Sequence, residues 1–312
     1  MTKKEPLKAI ALMGATGTGK SGLAMQVAAE HDLCLIACDS MQVYRGLDIG
    51  TAKPTRDEQA QVRHALIDCV DVSDVWSAQA WADTARIKIK QENELGKIPL
   101  LVGGTGMYLK ALLEGFAEVP AEKEGVREHF EAVQRQYGTP HLHAQLKLVD
   151  EVLATRLDSH DSQRIIRGLS VFESTGVPLS VWHSKQEKRK AETLTSISCP
   201  TFVLEISREL LRAKIKERFH QMMEQGWLAE TQWLKVQNIA ETHPVMRAVG
   251  YRQLLDHLEG QCSLGEAIRD GITATRRYAK RQRTWFNNQT PNAFRGEAAE
   301  VFQQLSNITY TL

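Results

Sequence analysis

Long apolar runs are missing from this chain. No stretch approaches the ~20 apolar residues that a membrane-spanning helix needs, so no membrane partner is expected. The charges at Lys3, Lys4, Glu5 and Lys8 are followed by the short apolar run Ala9 to Met13, which leads directly into a glycine-rich loop. That run is too short for a secretory signal with its cleavage site, and a cytoplasmic protein is expected. Cysteine is scarce: Cys34, Cys38, Cys69, Cys199 and Cys262 make an odd count with no C-x-x-C pair. They read as reduced thiols and not as a disulfide framework. An excess of one charge is lacking too, with 39 Lys and Arg against 38 Asp and Glu and a formal net charge of +1. Nothing global steers the protein to nucleic acid, so any polyanion binding must come from local patches. Repeats and low-complexity segments are absent.

What is present is ordinary globular material, 42% hydrophobic and 25% charged over 312 residues. The length suggests two domains or one core with a large insertion. Ala9 to Met13, Cys34 to Cys38 and Ile98 to Val102 read as buried strands. Ser21 to Glu30, with Leu23, Val27 and Met25 inward, reads as a helix, as do Trp76 to Glu94 and Met107 to Glu114. Strands alternating with helices argue for a mostly parallel sheet covered on both sides. From about Ala121 to Ala191 the chain turns polar and helical, with a charge-rich run at Lys185 to Lys190. Strand character resumes over Cys199 to Ile206; Ser207 then caps a helix whose Leu211, Ile215, Phe219 and Met222 fall at helical spacing. The expected architecture is α/β: a P-loop NTPase-like core over 1–120 and 195–312, with a helical insertion at 121–194.

Gly14, Ala15, Thr16, Gly17, Thr18, Gly19, Lys20 and Ser21 fit G-x-x-x-x-G-K-[ST] in full, between a strand and a helix. Such a loop turns backbone N–H groups toward phosphate oxygens, and the helix N-terminus adds partial positive charge. Lys20 neutralises phosphate charge, and the Ser21 hydroxyl suits Mg²⁺. The usual occupant is ATP, which would make the protein an NTPase, a small-molecule kinase or a nucleotide sensor. Two features oppose that default. The third strand ends in Val-Gly-Gly-Thr, without the Asp that helps hold Mg²⁺ in P-loop NTPases. The second strand delivers Asp39 to the edge where ligands bind in open α/β sheets.

Three further segments carry a resemblance: Asp39 to Pro54 (D-S-M-Q-V-Y-R-G-L-D-I-G-T-A-K-P), Val102 to Tyr108 (V-G-G-T-G-M-Y), and Gln163 to Arg167. With the phosphate loop, and with Val249 to Gln253 and Ala279 to Gln282, the chain resembles the tRNA dimethylallyltransferases nearly end to end. The resemblance implies transfer of a dimethylallyl group from dimethylallyl diphosphate to N6 of adenosine 37, just 3′ of the anticodon, in tRNAs reading codons that start with U. It implies Asp39 as general base, the 14–21 loop as diphosphate site with Mg²⁺ on Ser21, Thr105 in the same pocket, and Arg218 on the diphosphate. Taken alone, Asp39 is a turn cap and Arg218 a solvated helix charge. A sister activity, prenylation of free AMP, ADP or ATP, fits the same motifs.

The partner implied is the tRNA anticodon stem-loop, bound by a chain expected to act as a monomer. The resemblance places tRNA contacts at Asp39, Ser40, Met41, Gln42, Thr105, Arg127, Gln163, Arg164, Ile165, Ile166, Arg167, Arg247, Gly250, Tyr251, Arg252, Lys280, Arg281 and Arg283. The chemistry needs a flipped base, because stacking hides the reacting edge. Arg164 and Arg167 alone could instead pair with Asp158 or Asp161 on a helix surface, and Ser162 stands where the family often has proline. Arg276, Arg277, Lys280 and Arg281 share one helix face beside Tyr278, Trp285 and Phe286, with no acid between Asp270 and Glu297. That suits phosphate contacts. His129, His141 and His143 match no common zinc spacing. Trp227 and Trp233 are expected in the core.

Overall fold

The computed structural model describes residues 5–116, 119–185 and 196–311. The charge-rich run beyond Lys185 lies outside them. The chain divides into two compact units, Met1–Leu113 with Thr195–Leu312, and Glu114–Leu194.

The first unit is built on a sheet whose strands all run parallel. Its strands are β2 (Ile10–Met13), β3 (Leu35–Cys38), β4 (His64–Ala65), β5 (Leu100–Gly103), β7 (Thr201–Leu204) and β8 (Phe294–Gly296), in the order β4-β3-β5-β2-β7-β8. A two-stranded parallel extension pairs β1 (Leu7–Lys8) with β6 (Ile197–Ser198). The central strands are buried at every position of β2 and β3, which is why they read as unbroken apolar runs. Helices α1 (Lys20–His31), α2 (Arg56–Gln61), α3 (Ala78–Glu94) and α4 (Gly106–Glu114) follow the first strands. In the second unit come α5 (Val126–Tyr137), α6 (Thr139–Val149), α7 (Glu151–Arg156) and α8 (Ser162–Thr175). Back in the first unit are α9 (Arg208–Glu224), α10 (Trp227–Val236), α11 (Tyr251–Leu258), α12 (Leu264–Gln289) and α13 (Ala298–Thr311). The α/β architecture with a mostly parallel sheet is the one expected from the alternating pattern.

Leu23, Ala24 and Val27 of α1 and Val301 and Leu305 of α13 pack on Ile10, Leu12, Leu35, Leu100 and Phe202 of the sheet. Trp81 of α3 donates its indole N–H to the Ala37 carbonyl at 2.9 Å and stacks on Tyr108 at 4.8 Å. The α3 helix begins at Ala78 and not Trp76, because the Ser77 hydroxyl accepts the Ala80 N–H. Ser207 caps α9 in the same way through Leu210 N–H, with Ile215, Phe219 and Met222 buried. One aromatic differs from expectation. Trp227 is buried, but Trp233 is 39% exposed and lays its ring over Gly46. Six residues turn an α-helix by about 240°, so the two cannot face one core.

The second unit closes around Phe130, Leu142, Leu146, Leu153, Ile165, Ile166, Leu169 and Leu179. Its α8 begins where the Asp161 carboxylate accepts the Arg164 N–H, so Ser162 needs no proline to start the helix. His143 faces the Ala154 carbonyl at 3.0 Å, His141 faces Gln145, and His129 packs edge-on to Phe130.

Candidate active site

Strand register sets the site. Met13 of β2 and Cys38 of β3 both pair with Gly103 of β5. The next residues, Gly14, Asp39 and Gly104, therefore leave the sheet side by side at its carboxyl edge. That edge is where open α/β sheets bind ligands. They open onto a cleft of about 1340 Å³ lined by Thr16, Lys20, Ser21, Asp39, Gly104, Arg218 and Tyr278, among others.

The 14–21 loop is held from within. Thr18 donates its hydroxyl to the Ala15 carbonyl at 2.9 Å, and the Lys20 ammonium donates to the same carbonyl at 2.8 Å. Gly19 takes the left-handed φ of 97° that starts α1 without a side-chain cap. The first-turn N–H groups of α1 thus meet the cleft together with the helix dipole. Burial, helped by the nearby Arg218 charge and opposed by Asp39, brings the Lys20 pKa down to about 8. Burial also lowers that of Arg218, again opposed by Asp39. Two desolvated cations beside one carboxylate make a pocket waiting for an anion.

Asp39 spends one oxygen on structure. Its Oδ1 accepts the Met41 N–H at 2.9 Å and the Gln42 N–H at 3.4 Å. Thr105 Oγ1 accepts the Ser40 N–H at 3.1 Å, which ties the β3 and β5 loops together. Gln42 turns its amide onto the Thr51 and Ala52 carbonyls at 3.2 and 3.0 Å. The loop that follows is pinned twice. Glu230 accepts the N–H groups of Asp48, Ile49 and Gly50 at 2.7, 2.8 and 3.0 Å, and the Tyr251 hydroxyl. Buried Lys53 donates to the Tyr44 carbonyl at 2.8 Å and to Asp48 and Asp68 at 2.6 Å each.

Two groups of α12 enter the sequence analysis only as a motif end, Gln282, and as a neighbour of the basic face, Tyr278, with no role in the site. Gln282 accepts the Thr16 N–H at 2.9 Å and donates to the Gly104 carbonyl at 2.9 Å. One turn earlier, burial and the Asp39 carboxylate push the Tyr278 hydroxyl up to about 12, opposed first by the Arg281 guanidinium. Their i, i+4 spacing was the available signal; the surrounding basic residues concealed it. Glu230 carried no signal at all.

The predicted nucleic-acid contacts fall into different settings. Ser40, Met41 and Arg247 line the cleft. Gly250, at φ 92°, lies under the Trp227 ring, and Tyr251 is buried with its hydroxyl on Glu230. Tyr251 is therefore a support of the 48–50 loop. Ile165 and Ile166 are core residues of the second unit, whereas their α8 neighbours Gln163 and Arg164 face solvent. Arg164 pairs with Asp161 at 2.9 Å, Arg167 with Glu122, and Arg127 with Glu131 at 3.2 Å. On α12, Arg277, Lys280, Arg281 and Arg283 are exposed, as is Arg252 on α11. Arg276 departs from that row: half-buried, it donates to the Arg212 carbonyl of α9.

The profile of the IPP transferase family matches residues 42–289 of the chain. The chain belongs to the IPP transferase family. As a member, it is 40% identical over 304 residues to the tRNA dimethylallyltransferase of Azorhizobium caulinodans, covering 97% of this chain and 96% of that one. It is 41% identical over 274 residues to that of Magnetococcus marinus, covering 88% and 89%. Among solved structures it resembles the tRNA isopentenylpyrophosphate transferase of Bacillus halodurans, with 32% identity, a TM-score of 0.68 and coverage of 98% and 96%. A eukaryotic dimethylallyltransferase acting on tRNA gives 25% identity, a TM-score of 0.74 and coverage of 93% and 74%. The fold of this family member is P-loop NTPase-like.

Proposed function

We propose that this chain transfers a dimethylallyl group from dimethylallyl diphosphate to N6 of adenosine 37 in tRNAs reading codons that start with U. The observation that carries the reading is the placement of Asp39 at the strand end beside the phosphate loop, facing Lys20 and Arg218. Alkylation of an adenine amine needs a base for the proton it releases, and Asp39 is the carboxylate placed at the cleft to take it.

In the reaction the N6 lone pair attacks the allylic carbon and the carbon–oxygen bond breaks. Diphosphate leaves with the bonding pair, and the N6 proton goes to the Asp39 Oδ2 that the Met41 turn leaves free. Lys20, Arg218 and the first-turn N–H groups of α1 meet the charge that grows on the leaving oxygens. Ser21, exposed at the first turn of α1, fits a Mg²⁺ ion held by one protein hydroxyl, substrate phosphates and waters, since no cluster of three acidic, His or Cys groups exists among the described residues. That ion would offset diphosphate charge.

The exposed Arg277, Lys280, Arg281 and Arg283 of α12, and Gln163 and Arg164 of α8, support a tRNA acceptor over a free nucleotide. No described helix is long and apolar enough to cross a membrane; a monomer acting in the cytoplasm completes the reading. Incubation with labelled dimethylallyl diphosphate, Mg²⁺ and unmodified tRNA, AMP or no acceptor tests it. Label in tRNA alone is expected. Label in AMP alone, or ATP turnover without label, would overturn it.

A further inference from the structure

We propose that Gln282 is a positioning residue: its amide locks the diphosphate-holding loop in register with the turn that faces the general base. The proposal rests on the function just given. Its observation is geometric. A single buried side chain, 7% exposed, accepts from Thr16 in one loop and donates to the Gly104 carbonyl in the other, both at 2.9 Å. Among neutral side chains, an amide suits this double task, with a carbonyl to accept and an N–H to donate.

The fit is tight on both sides. A Cβ at position 104 would lie 2.2 Å from Gln282 Nε2, so the turn is glycine where the amide approaches. Past Gly104, Thr105 accepts the Ser40 N–H, and Ser40 follows Asp39 in the chain. A continuous series of bonds therefore runs from Thr16 through Gln282, Gly104 and Thr105 to the Asp39 turn. Its support is α12, a 26-residue helix fixed at its start by a Ser263–Glu266 capping box. Tyr278, one turn before, lines the same cleft.

The register matters because the reacting carbon and nitrogen must come within about 3.5 Å and in line, and a displacement of about 1 Å can cost about 100-fold in rate. The donor is held by one loop and the base by the other. A bracket between them acts on the chemical step, whereas a brace of either loop alone acts on affinity.

The test compares Gln282→Met, which keeps the bulk and loses both bonds, with Gln282→Glu. For Q282M, single-turnover transfer at saturating donor and tRNA is expected to fall roughly 30–100-fold. The dissociation constants for pyrophosphate and for tRNA should stay within about threefold. For Q282E, a protonated carboxyl can again accept from Thr16 and donate to Gly104. Its rate relative to wild type at the same pH should therefore climb as pH is lowered from about 8 to about 5.5. A Q282M rate within about threefold of wild type, a loss confined to affinity, or a flat Q282E ratio overturns the proposal. Absence of transfer by the wild type sinks the functional reading alone. Amide exchange over residues 14–19 without substrates then decides the bracket: faster exchange in Q282M supports it, and unchanged exchange removes it.

Discussion

Asp39 Oδ1 accepts the Met41 N–H at 2.9 Å, so the carboxylate caps its own turn with one oxygen while the residue lines the cleft that the phosphate loop also lines, where a charged oxygen can act. An Asn side chain can keep the first role and not the second. Asp39→Asn should therefore lower single-turnover transfer by about 10²–10⁴-fold, the range of a general base, with the melting temperature unchanged and donor affinity not weakened. Asp39→Ala should lose the turn as well. Near-normal turnover by Asp39→Asn would remove Asp39 from the chemistry.

Lys20 gives a pH signature to donor binding. Burial and Arg218 hold its pKa near 8 in the free protein, so the ammonium is charged below that pH and neutral above it. A diphosphate favours the charged form. Affinity for pyrophosphate should thus weaken as pH rises through about 8, and calorimetry above pH 8 should record net proton uptake on binding. Lys20→Met should bind more weakly at pH 7 and lose that uptake. Affinity independent of pH from 7 to 9 would contradict the assignment.

Glu230 tests whether the loop after Asp39 is prefolded. It collects three backbone N–H groups and the Tyr251 hydroxyl. In Glu230→Gln one oxygen becomes an N–H₂ that faces donors. The cost should be about 1–3 kcal/mol in unfolding free energy, the penalty of unmatched buried polar groups, together with faster amide exchange over 48–50. An equal melting curve and equal exchange would show that the loop holds its shape by Lys53 alone.

The parts of this fold legible in the sequence are those whose cause is local. β2, β3 and β5 are buried apolar runs, and the 14–21 loop joins the first of them to α1. The two-residue β4 and three-residue β8 have no pattern of their own; they exist because Leu35 and Phe202 offer them neighbouring backbone. Asp39 was legible as base and as cap; the structure shows the cap, and the base role belongs to the proposal. Gln282 was not, because its partners Thr16 and Gly104 are 266 and 178 residues away and only strand register brings them together. The burial of Tyr251, Ile165 and Ile166 was not legible, because segments matching tRNA-contacting motifs supply core side chains as well as surface ones.

The basic row on α12 carries the last expectation. Lys280, Arg281 and Arg283 are exposed, and no ion pair joins them among the described residues; Arg281 instead lies 5.6 Å over the Tyr278 ring. Charges left unpaired on a chain of net charge +1 are available to phosphates, whereas Arg164 and Arg167 must first leave Asp161 and Glu122. Each phosphate neutralised releases condensed cations, so the slope of log affinity against log salt counts contacts at about 0.7 apiece on single-stranded nucleic acid. The variant with alanine at 280, 281 and 283 should therefore lower the slope for tRNA by roughly two. Its affinity for pyrophosphate should fall far less than its affinity for tRNA, since of the three only Arg281 lines the cleft. Arg164→Ala, which also frees Asp161, should change the slope less. A slope equal to wild type in the triple variant would mean that the exposed row is solvated surface and that tRNA is gripped elsewhere.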